Sequence, residues 1–222
     1  MNVRMNSIVR IGAVVAAVVL LSGCIEIFQY VGYDDAGNLE LTMTVKVQKA
    51  VFDMANEFSE SGEEFNYRQE FGFSEGELEE DFPEWAPLDY SIEEIDTERE
   101  YGVTVSFSGQ EEAILGSEDS MEFLPRRRGN ETIIDFSGAG GETDAGGSPA
   151  GGDEFAAAFL AGAKYRLLIS RTYIADIRKV VFEVDGESQP VDVSEFRDVY
   201  LLELPLSSIF MSESAGRIRI RH

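Results

Sequence analysis

The single cysteine of the chain, Cys24, is the residue whose chemistry is easiest to interpret. A cysteine thiolate is a strong nucleophile, and this one follows Leu21-Ser22-Gly23, in which two small residues leave the backbone open to a peptidase. Upstream lie two positive charges, Arg4 and Arg10, and an apolar run of 11 residues over 11–21. That run has the length of a signal-peptide core and is far shorter than the ~20 residues of a membrane-spanning helix.

The N-terminal pattern resembles the bacterial lipobox, in which a branched apolar residue and two small residues precede a cysteine that accepts diacylglycerol. The resemblance covers the first 24 residues and implies a signal peptide over 1–23, cleavage between Gly23 and Cys24, and acylation of Cys24. It also implies an anchor in the outer membrane or on the outer face of the cytoplasmic membrane. The alternatives are an ordinary secretory signal with a chance cysteine and a short membrane anchor.

The chain after the signal is strongly acidic, and the charge is unevenly spread. Residues 24–125 carry 4 Lys and Arg against 27 Asp and Glu, a net charge of −23, whereas residues 126–222 carry 12 against 15, a net charge of −3. Such a surface repels nucleic acid, so we exclude nucleic-acid binding. The expected partners are the membrane, through lipid on Cys24, and a lipid or an envelope protein.

Few residues are suited to catalysis. The only histidine is His222, which excludes Ser-His-Asp and Cys-His catalysis and nearly all zinc sites. The acidic residues of 93–100 could supply a pair of carboxylates, and Asp34, Asp35 and Asn38 could offer oxygens to calcium. Acids are common everywhere in this chain, however, and turns favour Asp and Asn for backbone reasons. We therefore expect a non-enzymatic protein with no cofactor and no metal.

Two features are candidates for ligand binding. Arg126, Arg127 and Arg128 form the one basic run, and guanidinium groups suit a phosphate, an anionic lipid headgroup or an acidic partner. Segment 63–88 mixes aromatic residues, including the only tryptophan, Trp85, with Glu and Gly, which suits a lid over an apolar cavity. The alternatives are a solvated hairpin tip for the arginines and ordinary core aromatics for the segment.

Alternating apolar and polar residues dominate the rest of the chain and predict an α+β fold with a largely antiparallel β-sheet and two or three short helices. We predict helices starting near Gln48, within 63–88 and over 153–163, and a polar-faced strand at a sheet edge for the alternating arginines of 216–221. The predicted strands cover 25–33, 39–47, 89–96, 101–108, 120–125, 131–136, 164–173, 177–184, 198–206 and 216–221, with turns at 34–38, 126–130 and 185–186.

The domain organisation depends on residues 138–152, which include seven glycines in 15 residues. Such a composition does not pack and is typical of a flexible loop or linker. We favour a single domain over 24–222 that contains this segment as a loop. Two domains joined by it are the alternative.

The order of the elements is similar to that of the LppM-type lipoprotein domain of actinobacteria and some other bacteria. Cys24 leads straight into a hairpin over 25–47, followed by a helix, an aromatic segment and paired strands, and the last third of the chain supplies the matching segments Tyr165–Ser170, Ile177–Val184 with Asp185-Gly186, and Val199–Pro205.

This chain departs from the LppM-type pattern in two places. Tyr200 and Leu201 occur where the family often has tryptophan, and the C-terminal membrane helix common in the family is not found in this sequence. The resemblance implies an envelope domain linked to lipids or to the surface, and it transfers no catalytic residues. The leading hypothesis is binding of a lipid or apolar ligand or organisation of the envelope. The alternative is a surface adhesion or protein-interaction module.

Overall fold

The computed structural model describes residues 25–50, 53, 89–115, 123–136, 160, 162–210 and 216–222. Several sequence predictions lie outside these residues: Gly23, Cys24, Trp85, segment 63–88 and the glycine-rich segment 138–152. Of the predicted helices only a few positions are described: Lys49, Ala50, Asp53 and Leu160 are helical. Gly162 and Ala163 are not helical, so the predicted end of the helix over 153–163 is wrong.

Seven strands form the larger of two sheets. Numbered along the chain, they are β1 (Ile25–Tyr33), β2 (Leu39–Gln48), β3 (Asp89–Asp96), β4 (Glu100–Gly109), β7 (Lys164–Ser170), β10 (Val193–Glu195) and β11 (Val199–Pro205). Their order across the sheet is β10-β11-β7-β1-β2-β4-β3. The β1–β7 pair is parallel and the other pairs are antiparallel.

Five strands form the smaller sheet, in which every pair is antiparallel. They are β5 (Arg126–Arg128), β6 (Glu131–Asp135), β8 (Lys179–Val184), β9 (Glu187–Pro190) and β12 (Arg217–Arg221), in the order β5-β6-β12-β8-β9. Two short helices, α1 (Glu111–Leu115) and α2 (Leu206–Phe210), also lie in the described part of the chain. The predicted β-rich, largely antiparallel architecture is confirmed.

Local patterns located most of the strands. Strands 25–33 and 89–96 have the predicted bounds, and the turn over 34–38 joins β1 to β2 as expected. The predicted strand over 120–125 is wrong where it is described, because residues 123–125 are not in a strand. The arginine run is not a hairpin tip: it is strand β5 itself, and the turn is made by Gly129 and Asn130.

The position predicted for the C-terminal strand is also wrong. β12 lies at the centre of the smaller sheet, between β6 and β8, and not at an edge. Its alternating arginines tolerate this position because they pair with acids on neighbouring strands. Arg219 reaches Glu131 at 2.6 Å and Glu183 at 2.9 Å, and Arg221 reaches Glu131 at 2.7 Å.

The two sheets share one apolar core. Inward-facing residues of β1, β2, β4, β7 and β11 belong to the same buried cluster as those of β6, β8 and β12. Phe136, at the end of β6, lies where the sheets meet: its ring centroid is 5.4 Å from that of Tyr165 on β7 and 6.3 Å from that of Phe182 on β8. Edge-to-face aromatic contacts of this kind stabilise a core beyond the area they bury.

A polar bridge crosses this core. Gln29 on β1 is fully buried, accepts a hydrogen bond from the hydroxyl of Tyr165, and donates from Nε2 to the carbonyl oxygen of Phe123 at 3.0 Å. Burial raises the pKa of Tyr165, which keeps its hydroxyl a donor. Phe123 has a left-handed backbone (φ 73°), a conformation that costs energy for a residue with a side chain. The bridge therefore stabilises a strained residue that leads into β5.

Replacing Gln29 with alanine should destabilise the domain by about 2–4 kcal/mol, because the Tyr165 hydroxyl and the Phe123 carbonyl would each lose a buried partner. The measurement is the free energy of unfolding in urea. Gln189→Ala on the exposed strand β9 is the matched control and should change stability by less than about 0.5 kcal/mol. Equal effects from the two substitutions would show that the bridge is not important for stability.

Candidate anion-binding site

The three arginines predicted to bind a ligand form an edge strand of the smaller sheet. β5 pairs only with β6 among the described strands, through a two-residue turn in which Gly129 has a left-handed φ of 65°, as type II′ hairpins require. Side chains of a strand alternate between faces. Arg127 therefore shares the core-facing side with Thr132, its register partner, whereas Arg126 and Arg128 project on the opposite side.

Arg127 is held against two aromatic rings. Its guanidinium carbon lies 4.3 Å from the ring centroid of Tyr173 and 5.7 Å from that of Tyr33, and the two rings are themselves 5.5 Å apart. A guanidinium stacked on aromatic faces keeps its planar orientation and its charge. The rings therefore orient Arg127 at the edge of the core.

The parallel pairing of β1 and β7 brings the two tyrosines together. Both strands run toward the same end of the sheet, so Tyr33 at the end of β1 lies beside the turn that follows Ser170. Thr172 connects them, because its Oγ1 accepts from the Tyr33 backbone N–H at 2.8 Å and donates to the Tyr33 carbonyl at 3.1 Å. Tyr173 is the next residue and packs its ring on Tyr33.

Hydrogen bonds fix both phenols. The hydroxyl of Tyr33 donates to the carboxylate of Glu111 on α1, and that of Tyr173 donates to the carbonyl of Pro125 at 3.2 Å. Burial and then Glu111 raise the pKa of Tyr33, against an opposing effect of Arg127. Burial also raises the pKa of Tyr173. Both phenols are therefore neutral donors at physiological pH.

His222 completes the cluster. Its backbone N–H donates to Asn130 in the β5–β6 turn at 3.1 Å, and its Nε2 lies 3.3 Å from the hydroxyl of the buried Thr132. Burial, then the positive charges of Arg127 and Arg178, lower the pKa of His222. The site therefore gathers two permanent cations, Arg127 and Arg178, and a neutral imidazole that gains charge only in acid. Such a group can bind an anion.

Basic residues are concentrated on the sheet that carries this site. Its five strands contain seven Lys and Arg against four Asp and Glu, a net charge of +3. The seven strands of the larger sheet contain three against nine, a net charge of −6. The described strands of the two sheets therefore differ in the sign of their net charge.

The other sequence candidates do not form a site in the described residues. Asp34 uses its carboxylate within its own turn, accepting from the backbone N–H groups of Ala36 and Asn38 at 2.8 Å each, and hydrogen bonds from Asn38 are the main cause of its lowered pKa. The acids of 93–100 alternate between the two faces of their strands, and Asp96 pairs with Lys49. No three His, Cys, Asp or Glu side chains of the described chain converge on a metal position.

Sequence reasoning missed Tyr33, Glu111, Tyr173 and His222 as members of the arginine site. Tyr33 and Tyr173 are 140 positions apart, and neither belongs to a motif. Their meeting follows from strand topology, for which the local pattern carries no signal. His222 was noted only for the chemistry that a single histidine excludes.

The imidazole of His222 reports directly on this geometry, since the chain has only one histidine. Its NMR titration midpoint should lie below the usual ~6.5, and Arg127→Gln should raise the midpoint part of the way back, because burial remains. The unfolded chain binds more protons below pH 6.5 than the folded one, so stability should fall as pH drops from ~6.5 through the lowered pKa. Arg99→Gln, in the β3–β4 turn, is the control and should leave the midpoint unchanged.

Comparison with known proteins assigns no family. No family model matches the chain, and no curated protein matches it. Among solved structures, the NMR structure of the folded domain of Mycobacterium tuberculosis LppM aligns with a TM-score of 0.36 and 9% identity, over 90% of this chain and 91% of that chain. That similarity is too low to place the chain in the LppM-type family. None of the described helices is long and apolar enough to cross a membrane.

Proposed function

We propose that this is a non-enzymatic, lipid-anchored cell-envelope protein whose domain lies against anionic lipid headgroups through strand β5. The observation that carries the proposal is the basic edge strand: Arg126, Arg127 and Arg128 occur on a net-positive sheet in a chain of net charge −24. Each cation near an anionic membrane surface contributes about 1 kcal/mol of attraction. The lipobox-like sequence Leu21-Ser22-Gly23-Cys24 supports acylation of Cys24 and an anchor in a bacterial membrane.

The alternation of side chains favours a flat anionic surface over a small anion. A pocket for one phosphate would need guanidinium groups that converge, whereas Arg127 lies on one side of β5 and Arg126 and Arg128 lie on the other. An edge strand laid along a layer of headgroups presents side chains from both of its faces to that layer. The arginines and Arg178 then contact several phosphates at once.

The anchor and the arginines together define an orientation. Cys24 directly precedes β1, so an acyl group on it is attached next to Ile25 without a linker. Tyr33, beside Arg127, lies at the other end of β1, about 26 Å away at ~3.3 Å per residue. Contact at both points requires β1 to lie along the membrane. One lipid signal combined with a basic patch is a sufficient pair for stable attachment.

Binding of an apolar ligand between the sheets has less support from the described residues. The space between them is filled by large side chains such as Tyr165, Phe136 and Phe182, whose rings contact each other. The alternative of a protein-interaction module uses the same arginines toward an acidic partner. The membrane-binding proposal and the protein-interaction alternative differ in whether vesicles of anionic lipid alone are sufficient for binding.

Loss of the anchor residue should release the protein. Cys24→Ser should move the protein from the membrane fraction to the soluble fraction after a wash in high salt, because the β5 contact alone is electrostatic and is screened. Mass spectrometry of the unchanged protein should show acyl groups on Cys24. An unmodified N-terminal segment with Cys24 unacylated would contradict the proposed anchor.

Removal of two arginines should weaken binding to anionic membranes. In flotation of the Cys24→Ser protein with phosphatidylglycerol vesicles, Arg126→Gln/Arg128→Gln should lower the partition constant by about tenfold or more, as expected for two cations at ~1 kcal/mol each. Arg99→Gln/Lys164→Gln removes the same charge elsewhere and should have a smaller effect. Equal losses would indicate only a net-charge effect, and competition by free inorganic phosphate would indicate a single-anion site.

A further inference from the structure

A second surface lies on the face of the larger sheet that is opposite the shared core, and its chemistry differs from that of the basic β5 surface. The face of the larger sheet turned away from the smaller one carries an open groove of about 330 Å³. That volume is at the lower end of the range of small-molecule sites. Its lining combines hydroxyls, two carboxylates and one aromatic ring, from the side chains of Tyr30, Glu40, Thr42, Asp89, Ser91, Ser106 and Ser108. Tyr90 and Phe107 also border the groove, but their side chains lie on the core-facing side of β3 and β4.

Strand register arranges the polar lining in rows across four strands. Tyr30, Thr42, Ser106 and Ser91 are successive partners on β1, β2, β4 and β3 and form one row. The adjacent row begins at Gly32 on β1 and continues through Glu40 on β2, Ser108 on β4 and Asp89 on β3. Three inter-strand spacings of ~4.8 Å make the rows about 14 Å wide.

The floor of the groove is flat and rich in hydroxyls. Thr42 and Ser106 share a hydrogen bond of 3.2 Å. A hydroxyl has one donor and two acceptor positions, so this pair keeps free capacity toward a ligand. Short side chains in these positions allow a ligand to approach the sheet closely. Thr44 and Thr104, one row nearer Ile25, share a hydrogen bond of 2.9 Å but do not line the groove.

An aromatic ring forms one wall. An added Cβ at Gly32 would lie 2.9 Å from Cζ of Tyr30, so the Tyr30 side chain is folded along the strand over Gly32. Only glycine leaves the space for this, because Gly32 and Tyr30 lie on the same face of β1. The ring therefore borders the hydroxyl floor instead of projecting from the sheet into solvent.

Two carboxylates complete the lining. Glu40 on β2 and Asp89 on β3 flank Ser108 on β4, two strand spacings or about 10 Å apart. No three His, Cys, Asp or Glu side chains of the described chain converge on a metal position, here or elsewhere, and the negative charge repels anions. Carboxylates here suit a neutral ligand with many O–H donors.

We propose that this groove binds an uncharged oligosaccharide. A sugar ring has an apolar C–H face and a rim of hydroxyls. The apolar C–H face of the sugar would stack on Tyr30. The sugar hydroxyls would donate to Glu40 and Asp89 and would exchange hydrogen bonds with Thr42 and Ser106. Each of these elements is needed, because an aromatic alone accepts any apolar ligand and hydroxyls alone bind water equally well.

The test uses the acylated full-length protein in detergent micelles and four neutral probes: maltohexaose, cellohexaose, mannohexaose and the hexamer of N-acetylglucosamine. Calorimetric titration should give a dissociation constant below about 10 mM for at least one of them. With that probe, Tyr30→Ala should weaken binding about tenfold and Tyr30→Phe by less than about threefold, since stacking survives in phenylalanine.

A matched pair of variants locates the site. Thr42→Val removes a groove hydroxyl and should weaken binding about three- to tenfold, the effect of one hydrogen bond. Thr44→Val removes the equivalent hydroxyl one row away and should leave binding unchanged. Urea midpoints equal to that of the parent protein establish that the variants fold. Failure of all four probes, or equal effects of the two threonine variants, would overturn the proposal and would not affect the proposed role of β5.

Discussion

The buried hydrogen bonds of Gln29 are the constraint on which the rest of the structure depends. They join the larger sheet to Phe123, the left-handed residue from which the chain enters β5. Two residues later, the carbonyl of Pro125 accepts from Tyr173, so the direction of β5 is fixed at both positions. A polar side chain in the middle of a core is costly unless both of its ends are satisfied, and here each end has a partner. The same buried hydrogen bonds that stabilise the core therefore also position the arginine site.

Local sequence pattern was sufficient for most of the strands, although not for β5, β9 and β10, and it was insufficient for their partners. Leu39, Leu41 and Val47 alternate with polar residues, so β2 and its hairpin with β1 could be predicted without any long-range information. The β1–β7 pairing could not, because nothing in Ile25–Tyr33 specifies a parallel partner about 140 residues away. Gln29 was equally hidden, since one polar residue within an apolar run gives no indication of a bridge across the core.

The arginine run shows how a charge pattern can mislead about position. Three consecutive arginines before Gly129 suggested a solvated tip, but strands at a sheet edge also tolerate charge, and Arg127 gains two aromatic contacts there. The strand of Arg219 was predicted at a sheet edge because of its charges, but it lies at the centre of the smaller sheet. Flanking acids, Glu131 and Glu183, satisfy its guanidinium at the centre of a sheet, and this compensation is visible only once the register is known.

The division of charge between the sheets links the two proposed surfaces. A membrane layer that attracts the net-positive smaller sheet repels the net-negative larger one, so electrostatics favour the proposed orientation with β5 against the headgroups. The groove beside Tyr30 lies on the larger sheet, on the face opposite the shared core. In that orientation the groove faces away from the headgroups and remains accessible to polymers of the envelope. The two proposals together describe a protein that is held at β5 and connects a membrane surface to a neutral glycan. Repulsion between the acidic larger sheet and the anionic headgroups keeps the groove away from the lipid.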